Sequence, residues 1–255
     1  MFTLILIITK IFSRMSRLLN IGSGYTWPGH LILFFYPHFI EKTISKLPRG
    51  TIIITGTNGK TTTAQASSFI LGEKNLRVVT NTSGANLLNG IASALISKLG
   101  WRGRFNADIG VFEVDEAVFP EAVRLLQPQF IILLNLFRDQ LDRYGEVDTI
   151  ISKWKEALET LPLSTKILIN ANDPALVFLG EHSPSEVTYF GVNDSRFKLK
   201  GVPHYADSLY CLNCASVLRY KICYFSHVGV WSCPVCGRTT PPLSFEASHI
   251  RISKE

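Results

Sequence analysis

The residues with the clearest chemical potential lie in one short loop that is rich in glycine and threonine. Thr55–Thr62 reads Thr-Gly-Thr-Asn-Gly-Lys-Thr-Thr and follows the β-branched run Thr51–Thr55. Where a strand turns into a helix, small residues let successive backbone N–H groups point at phosphate oxygens. We therefore predict that this loop binds the phosphates of ATP. The predicted contact residues are Gly56, Thr57, Asn58, Gly59, Lys60, Thr61 and Thr62.

Two side chains of this loop have more specific predicted roles. The ammonium group of Lys60 can reach the β- and γ-phosphates, and the hydroxyl of Thr61 can coordinate Mg²⁺. Ile54 stands where the strict Walker spacing has its first glycine, so the shorter run Gly-Thr-Asn-Gly-Lys-Thr carries the prediction. The alternative is an ordinary glycine turn that caps a helix.

Four of the five cysteines form two Cys-x-x-Cys pairs, Cys211 with Cys214 and Cys233 with Cys236, and 18 residues separate the pairs. This spacing predicts a closed four-thiolate site in a small ribbon, with a structural Zn²⁺ and with iron as the alternative ion. A redox role would call for a single pair near a βαβ unit. Cys223 lies in an apolar aromatic stretch and is predicted to be a buried free thiol.

The segments around these motifs alternate between short apolar strands and helices. Strands are predicted at residues 51–55, 77–80, 108–114, 130–135, 166–170 and 187–190, and helices from the loop to about 74 and over 89–98, 117–126 and 149–161. This alternation predicts an α/β fold, a parallel sheet flanked by helices, with ligands at the carboxyl ends of its strands. Residues 210–237 read as an inserted small β module, and residues 243–252 as a return to strand.

Composition and charge narrow the class of protein. The 255 residues are 46% hydrophobic, enough for one large core or for a core with a small module. The formal net charge of +6 is spread along the chain, which argues against a nucleic-acid partner and suits a phosphorylated substrate or an anionic membrane surface. Cysteines that bind metal rather than form disulfides indicate a reducing compartment, most simply the cytoplasm.

Two apolar segments near the N-terminus are shorter than the ~20 residues that a spanning helix needs. Leu4–Leu19 is predicted to form an amphipathic helix, and its positive charges follow the apolar run rather than preceding it, unlike those of a secretory signal. The second segment, Leu31–Ile40, is interrupted by Pro37 and His38.

The phosphate loop and four later segments resemble the Mur ligase superfamily. Those segments are Thr82–Asn86, Glu113–Glu116, Asn135–Gly145 and Asn170–Pro174. The resemblance implies a reaction in which ATP converts a carboxylate into an acyl phosphate, which an amine then attacks. In Asn135–Gly145 the residues Gln140 and Tyr144 replace two histidines of the family pattern, which weakens the case for a second metal held by histidine.

The same resemblance assigns roles to individual residues. It implies that Lys60 and Glu113 act in catalysis and that Thr61, Ser83 and Glu113 bind Mg²⁺. It also implies that Asn172 and Asp173 contact the adenine and the ribose. The alternatives are a solvated strand end for Glu113, a solvated turn or helix cap for Asp115 and Glu116, and an Asx cap for Asn172 and Asp173.

The cysteine module and the segment Ser16–Gly29 are similar to the MurT-type branch of the superfamily. This implies a carbon–nitrogen ligase of peptidoglycan biosynthesis that amidates the α-carboxylate of D-glutamate in lipid II to D-isoglutamine. Ammonia would come from a GatD-like glutamine amidotransferase, and the enzyme would work in the cytoplasm at the inner face of the plasma membrane. The alternatives are another Mur-type ligase, such as a folylpolyglutamate synthase, or a nucleotide-binding scaffold without its own activity.

The expected domain organisation has four parts. Residues 1–48 form an N-terminal helical segment, 49–205 the ATP-binding central domain, 206–242 the zinc ribbon and 243–255 the return strand. The resemblance further implies a C-terminal ligase domain that lies outside these 255 residues.

Overall fold

The computed structural model describes Thr9 and residues 26–81, 84–101, 104–137, 146–199 and 208–251. Apart from Thr9, the predicted helix over Leu4–Leu19 lies outside these residues, as do Ser83, Gln140 and Tyr144. The chain divides into two compact units, which are described separately. Unit 1 comprises Met1–Thr55 and Gly59–Ile131, and unit 2 comprises Gly56–Asn58 and Ile132–Glu255.

The predicted α/β fold is confirmed. The described residues contain a seven-stranded sheet and a separate two-stranded ribbon. The strands of the large sheet are β1 (Thr51–Thr55), β2 (Val78–Thr80), β3 (Ile109–Val114), β4 (Phe130–Leu133), β5 (Lys166–Asn170), β6 (Glu186–Val192) and β9 (Phe245–Ala247), and those of the ribbon are β7 (Arg219–Phe225) and β8 (Val228–Ser232). The order in the large sheet is β2-β3-β1-β4-β5-β6-β9. The pairings β1–β3, β2–β3, β5–β6 and β6–β9 are parallel.

Unit 1 is built around β3, in which all six residues are buried. Its helices are α1 (Trp27–Phe35), α2 (Phe39–Ile44), α3 (Lys60–Glu73), α4 (Leu88–Lys98) and α5 (Phe119–Leu126). In the register of β1 and β3, Thr55 lies opposite Val114 and Ile54 lies opposite Glu113. In unit 1, β1 and β3 therefore end side by side at the carboxyl edge of the sheet.

The apolar run Leu31–Ile40 is divided between two helices rather than forming one. Helix α1 has Pro28 in its first turn and ends at the C-cap Tyr36, and α2 begins at Phe39. The break falls at Pro37 and His38, as predicted, because proline cannot continue a helical hydrogen-bond ladder. Among the helices in the described part of the chain, none combines the length and the apolar character needed to cross a membrane.

Unit 2 contains β5, β6, β9 and two helices, α6 (Glu146–Glu159) and α7 (Pro174–Glu181). The ribbon strands are β7 (Arg219–Phe225) and β8 (Val228–Ser232), which pair antiparallel. They lie in the chain between β6 and β9, and β9 pairs with β6 from Phe190↔Phe245 to Val192↔Ala247. The chain thus leaves the large sheet after β6 and returns to it at β9.

Candidate functional site

In unit 1, the start of α3 and the end of β3 bring a hydroxyl and a carboxylate together. The Thr61 Oγ1 hydroxyl donates to Oε2 of Glu113 at 2.8 Å. Glu113 is only 4% exposed, although it carries a carboxylate in a strand that is otherwise apolar. Gly59, the N-cap of α3, has a φ of 85°, a left-handed conformation that glycine adopts without strain. The structure therefore places the predicted Mg²⁺ ligands Thr61 and Glu113 in contact.

Lys60 also finds an acidic partner in unit 1. Its Nζ lies 3.1 Å from Oε2 of Glu116, and the two side chains are 12% and 16% exposed. The expectation that Glu116 is a solvated turn residue is therefore wrong, because the turn after β3 directs its carboxylate towards Lys60. Asp115 lies in the same turn, where its Oδ1 accepts from the N–H of Ala117 at 3.1 Å, but it does not cap α5, whose N-cap is Val118.

Asn81, which follows β2, is a site residue that the sequence analysis missed. Its Oδ1 accepts from the N–H of Glu113 at 3.0 Å, and its Nδ2 donates to the carbonyls of Glu113 and Ala85, both at 2.8 Å. The side chain is 6% exposed. One amide thus fixes the backbone of Glu113 and ties the loop after β2 to it. The available signal was its position, a polar residue directly after an apolar strand.

The donor set in unit 1 fits a hard divalent cation. The Thr61 hydroxyl and the Glu113 carboxylate are oxygen ligands of the kind that Mg²⁺ prefers. Lys60 places a positive charge beside them, which suits the phosphate groups that accompany Mg²⁺ in nucleotide sites. Ser83, the third predicted Mg²⁺ ligand, lies outside the described residues.

In unit 2, the middle of the phosphate loop is held by the segment that follows β4. The N–H of Thr57 donates to the carbonyl of Asn135 at 3.0 Å, and the side chain of Asn135 pairs with Asn58 through bonds of 2.8 and 2.9 Å. Gly56 has a φ of 138°, and a Cβ added there would lie 2.8 Å from the carbonyl oxygen of Asn135. Glycine at this position therefore permits the close approach of the two segments.

Asn172 and Asp173 are both fully buried, and protein groups occupy their polar atoms. The side chain of Asn172 accepts from the N–H of Val192 at 2.6 Å and donates to the carbonyl of Gly229 at 3.2 Å. Asp173 caps α7 by accepting from the N–H of Ala175 at 2.9 Å, so the Asx cap that the sequence left open is present. Both side chains hold the chain together here, and their contact with a nucleoside stays a prediction.

The two Cys-x-x-Cys pairs meet in unit 2 as predicted. The Sγ atoms of Cys211, Cys214, Cys233 and Cys236 all lie within 4.8 Å of one another. Cys211 and Cys233 are buried, whereas Cys214 and Cys236 are half-buried. Four sulfur atoms that converge on one point can surround a single tetrahedral ion and leave it no open position. The arrangement therefore suits a structural metal, and the identity of that metal as zinc stays a prediction.

The thiols of this cluster differ in acidity. Burial raises the pKa of Cys211 to about 11. The hydroxyl of Ser216 lies 3.0 Å from the sulfur atoms of both Cys214 and Cys233, and it lowers the pKa of Cys233 to about 5. The same hydroxyl lowers the pKa of Cys214. Since the thiolate is the metal-binding form, Ser216 favours the ligand state of two of the four cysteines.

Cys223 stands apart from this cluster as predicted. It is 3% exposed, is free of disulfide bonds and donates its thiol to the carbonyl of Ser226 at 3.0 Å. Burial raises the pKa of this thiol, so it stays protonated near neutral pH.

Comparison with known proteins identifies the family. The family model of the Mur ligase middle domain matches residues 54–221. The chain belongs to the Mur ligase family. The matched region begins one residue before the phosphate loop and ends within β7, so it includes Lys60, Thr61, Glu113 and the first cysteine pair.

Curated relatives of this Mur ligase family chain include subunits of a synthase. The chain is 29% identical over 231 residues to the MurT subunit of the glutamine-hydrolysing lipid II isoglutaminyl synthase of Streptococcus pneumoniae, which covers 91% of the chain and 50% of the relative. It is 30% identical over 202 residues to the MurT subunit of Staphylococcus aureus, covering 79% and 44%. The chain therefore spans about half the length of the curated relatives that it matches.

Solved structures of Mur-type ligases share the fold. A pseudomurein peptide ligase type C from Methanothermus fervidus superposes with a TM-score of 0.61 at 24% identity, covering 81% of this chain and 39% of that one. MurF from Thermotoga maritima, solved in complex with ADP, gives a TM-score of 0.50 at 18% identity, covering 67% and 37%.

Proposed function

We propose that the chain is the ATP-binding part of a carbon–nitrogen ligase that amidates the α-carboxylate of D-glutamate in lipid II, giving D-isoglutamine. The observation that carries the ligase proposal is the contact between Thr61 and Glu113 at 2.8 Å, beside Lys60, at the ends of two adjacent parallel strands. The similarity to MurT subunits over 91% of the chain supports the choice of substrate.

In this proposal the residues of the loop bind ATP and align its phosphates. The backbone N–H groups of Gly56–Thr62 hold the phosphates, and Lys60 leaves Glu116 to pair with the β- and γ-phosphates. Thr61, Glu113 and Ser83 supply oxygen ligands to Mg²⁺, which neutralises charge on the transferring phosphoryl group when it is bound. Lys60 and Glu113 are therefore the proposed catalytic residues of this chain, and their contribution is alignment and charge balance.

The proposed reaction has two steps, formation of an acyl phosphate and its conversion to an amide. A carboxylate oxygen of the substrate attacks the γ-phosphorus, the bond to the β–γ bridging oxygen breaks, and ADP leaves with an acyl phosphate on the substrate. Ammonia then attacks the acyl carbon, loses a proton and releases inorganic phosphate as the amide forms. Both steps require the attacking and leaving groups to be held in the right geometry, and the loop would hold the phosphates of ATP.

The nucleoside is proposed to lie near Asn170–Pro174. The support is the fold shared with MurF of Thermotoga maritima, which was solved with ADP, together with the position of this segment after β5. Because Asn172 and Asp173 are fully buried, their proposed role is to fix the segment that faces the adenine and the ribose.

A partner and a location follow from the same proposal. The relatives are named as subunits of a glutamine-hydrolysing synthase, so we propose a GatD-like glutamine amidotransferase as the source of ammonia. The proposed acceptor, lipid II, is held in a membrane, and we propose that the chain works in the cytoplasm at the inner face of the plasma membrane. In this proposal the four cysteines hold a structural Zn²⁺, and no nucleic acid takes part.

The proposal is tested by ATP consumption in a mixture of this chain, lipid II, glutamine and the amidotransferase. We expect turnover with the wild-type chain, loss of turnover with Lys60→Ala, and unchanged turnover with Lys74→Ala. Lys74 is exposed at the other end of α3 and serves as the matched control. If the wild-type chain turns over and the Lys60 variant retains the same turnover as the Lys74 variant, the role assigned to the loop is refuted.

A second candidate function is a nucleotide-binding scaffold without its own ligase activity. It is favoured by one observation: the contacts of Lys60, Thr61 and Glu113 in unit 1 suit a nucleotide and Mg²⁺, and binding them is all that a scaffold requires. In that case the chain would bind ATP and depend on Lys60 for binding, but the mixture described above would show no turnover. Another Mur-type amino-acid ligase, such as a folylpolyglutamate synthase, would instead consume ATP with an amino-acid acceptor.

A further inference from the structure

The turn between the ribbon strands β7 and β8 packs against the segment that holds the phosphate loop. The ring of Phe137 lies 4.7 Å from the ring of His227 and 5.5 Å from that of Phe225, measured between centroids. Phe137 exchanges two hydrogen bonds with Thr57: its N–H donates to Oγ1 at 2.9 Å, and that hydroxyl donates to its carbonyl at 3.2 Å. A single residue therefore joins the ribbon turn to the phosphate loop, and all of these residues belong to unit 2.

A second path joins the same turn to the end of β4 through a buried carboxylate. Nε2 of His227 lies 3.3 Å from Oδ2 of Asp173, and both side chains are fully buried. The same oxygen accepts from the N–H of Leu136 at 2.9 Å. Since this oxygen already acts as an acceptor, it pairs with His227 in the tautomer that carries a proton on Nε2. The ring thus contacts Phe137 and, through Asp173, its neighbour Leu136.

Among the described residues, Asp173 is the hydrogen-bond partner of the His227 side chain. Its Nδ1 is buried and has no hydrogen-bond partner among the residues that the structure describes. A buried polar atom without a partner is unfavourable, so the contacts of His227 with Asp173 and Phe137 must offset that cost. We therefore assign the imidazole a structural role at the turn, which is to contact Asp173 and Phe137.

The other end of the ribbon lies in the cysteine cluster. Strand β8 runs directly into Cys233, and Trp231 and Cys233 share a buried apolar cluster with Ala171. The indole N–H of Trp231 donates to the carbonyl of Ala171 at 3.1 Å, and the N–H of Gly229 donates to the carbonyl of Asn172 at 2.9 Å. The ribbon is therefore attached along its length to the chain that follows β5.

We propose that the ribbon turn is a brace for the phosphate loop, and that His227 is a positioning residue that acts through Phe137 and Asp173. The cysteine cluster lies at one end of the ribbon. The turn at the other end contacts Phe137, which hydrogen-bonds to Thr57, and reaches Leu136 through Asp173. The consequence for nucleotide affinity rests on the proposed function, whereas the brace itself is a property of the fold.

Hydrogen–deuterium exchange on the full chain tests the brace without nucleotide. His227→Phe keeps the ring and removes the hydrogen bond, and His227→Ala removes both. We expect exchange in peptides covering Gly56–Asn58 and Leu136–Phe137 to rise from wild type to His227→Phe to His227→Ala. Arg219→Ala, at the exposed far end of β7, is the matched control and should leave the exchange of these peptides unchanged.

Two further measurements separate a brace from a general folding requirement. Metal content should stay the same in all the variants, and exchange in Ile109–Val114 of unit 1 should not change. A rise in every peptide of His227→Phe, or no rise around Gly56–Asn58 in either variant, would overturn the proposal.

The affinity for ATP with Mg²⁺ gives the functional measurement. His227→Ala should weaken it about tenfold, the effect expected from loss of one hydrogen bond to a charged group. If the wild-type chain binds no ATP, the proposed function fails, while the exchange experiment still decides whether the brace exists. If ATP binds equally to wild type and His227→Ala, the brace does not reach the loop and the proposal is wrong.

Discussion

The ammonium group of Lys60 lies 3.1 Å from the carboxylate of Glu116, with both side chains mostly shielded from solvent. Lys60 follows the glycine that caps α3, and Glu116 follows the end of β3. The lysine that we assign to the phosphates therefore has a counter-ion in the chain itself. On our account the phosphates of ATP replace that carboxylate, so Glu116 competes with the nucleotide for Lys60.

Replacing Glu116 by Gln should strengthen the binding of ATP. The variant removes an ion pair that must be broken and a negative charge that repels the phosphates, so we expect an affinity gain of up to about tenfold. Isothermal titration at fixed Mg²⁺ measures it, with Glu73→Gln at the exposed end of α3 as the control. Weaker binding by Glu116→Gln would mean that the carboxylate orients Lys60 for the nucleotide instead.

Replacing Asn81 by Ala should weaken the Mg²⁺ site, because it removes the hydrogen bonds that fix the backbone of Glu113. The change leaves the N–H and carbonyl of Glu113 and the carbonyl of Ala85 without their side-chain partner, at a cost of about 1–3 kcal/mol in the free energy of unfolding. We also expect a higher Mg²⁺ concentration for half-maximal ATP binding, because Glu113 is no longer fixed. Unfolding in urea and an Mg²⁺ titration measure the two effects. A variant with lower stability but an unchanged Mg²⁺ midpoint would show that Asn81 serves the fold alone.

The ion pair of Arg77 with Asp108 predicts a pH-dependent contribution to stability. Hydrogen bonds from Arg77 lower the pKa of Asp108 to about 2, compared with about 3.9 in an unfolded chain. A lowered pKa stabilises the fold above the unfolded value, and the effect is lost as pH falls from about 4 through about 2. The difference in unfolding free energy between wild type and Asp108→Asn should therefore shrink over this range. A difference that is constant from pH 6 to pH 2 would contradict the assignment.

The cysteine cluster predicts a defined metal content. We expect close to one Zn²⁺ per chain by mass spectrometry, because four thiolates form one closed tetrahedral site. Cys233→Ser should lose the metal, whereas Cys223→Ser should keep it, since Cys223 bonds to Ser226 and lies outside the cluster. If the chain instead contains about one iron ion, the four-cysteine site is retained and the bound ion is iron rather than zinc. Equal metal content in the two variants would exclude the four-cysteine site.

Much of the fold could be predicted from local sequence patterns. The run Thr51–Thr55 and the strand over Lys166–Asn170 begin and end as predicted, because β-branched and apolar residues here are bounded by polar turns. Helix α7 was missed although Pro174 stands at its first position and Asp173 caps it. Its apolar residues are buried nearly all round, so the sequence lacks the periodicity that marks an amphipathic helix.

The candidate site could be predicted only in part, because motifs indicate residue types but not pairings. The loop and the end of β3 were identified separately, and the contact between Thr61 and Glu113 follows from the register of two strands that are far apart in sequence. Asn81 and His227 carry no motif of their own, and Glu116 lies in the Glu113–Glu116 segment without a specific role implied for it. Their importance depends on what lies opposite each side chain, which is a tertiary property.

The most direct test of the account is titration of the purified chain with ATP in the presence and absence of Mg²⁺. We predict saturable binding that depends on Mg²⁺, since Thr61 and Glu113 supply its oxygen ligands and Lys60 meets the phosphates. No binding with Mg²⁺ present, or binding of equal strength without it, would contradict the assignment of this loop and with it the proposed function.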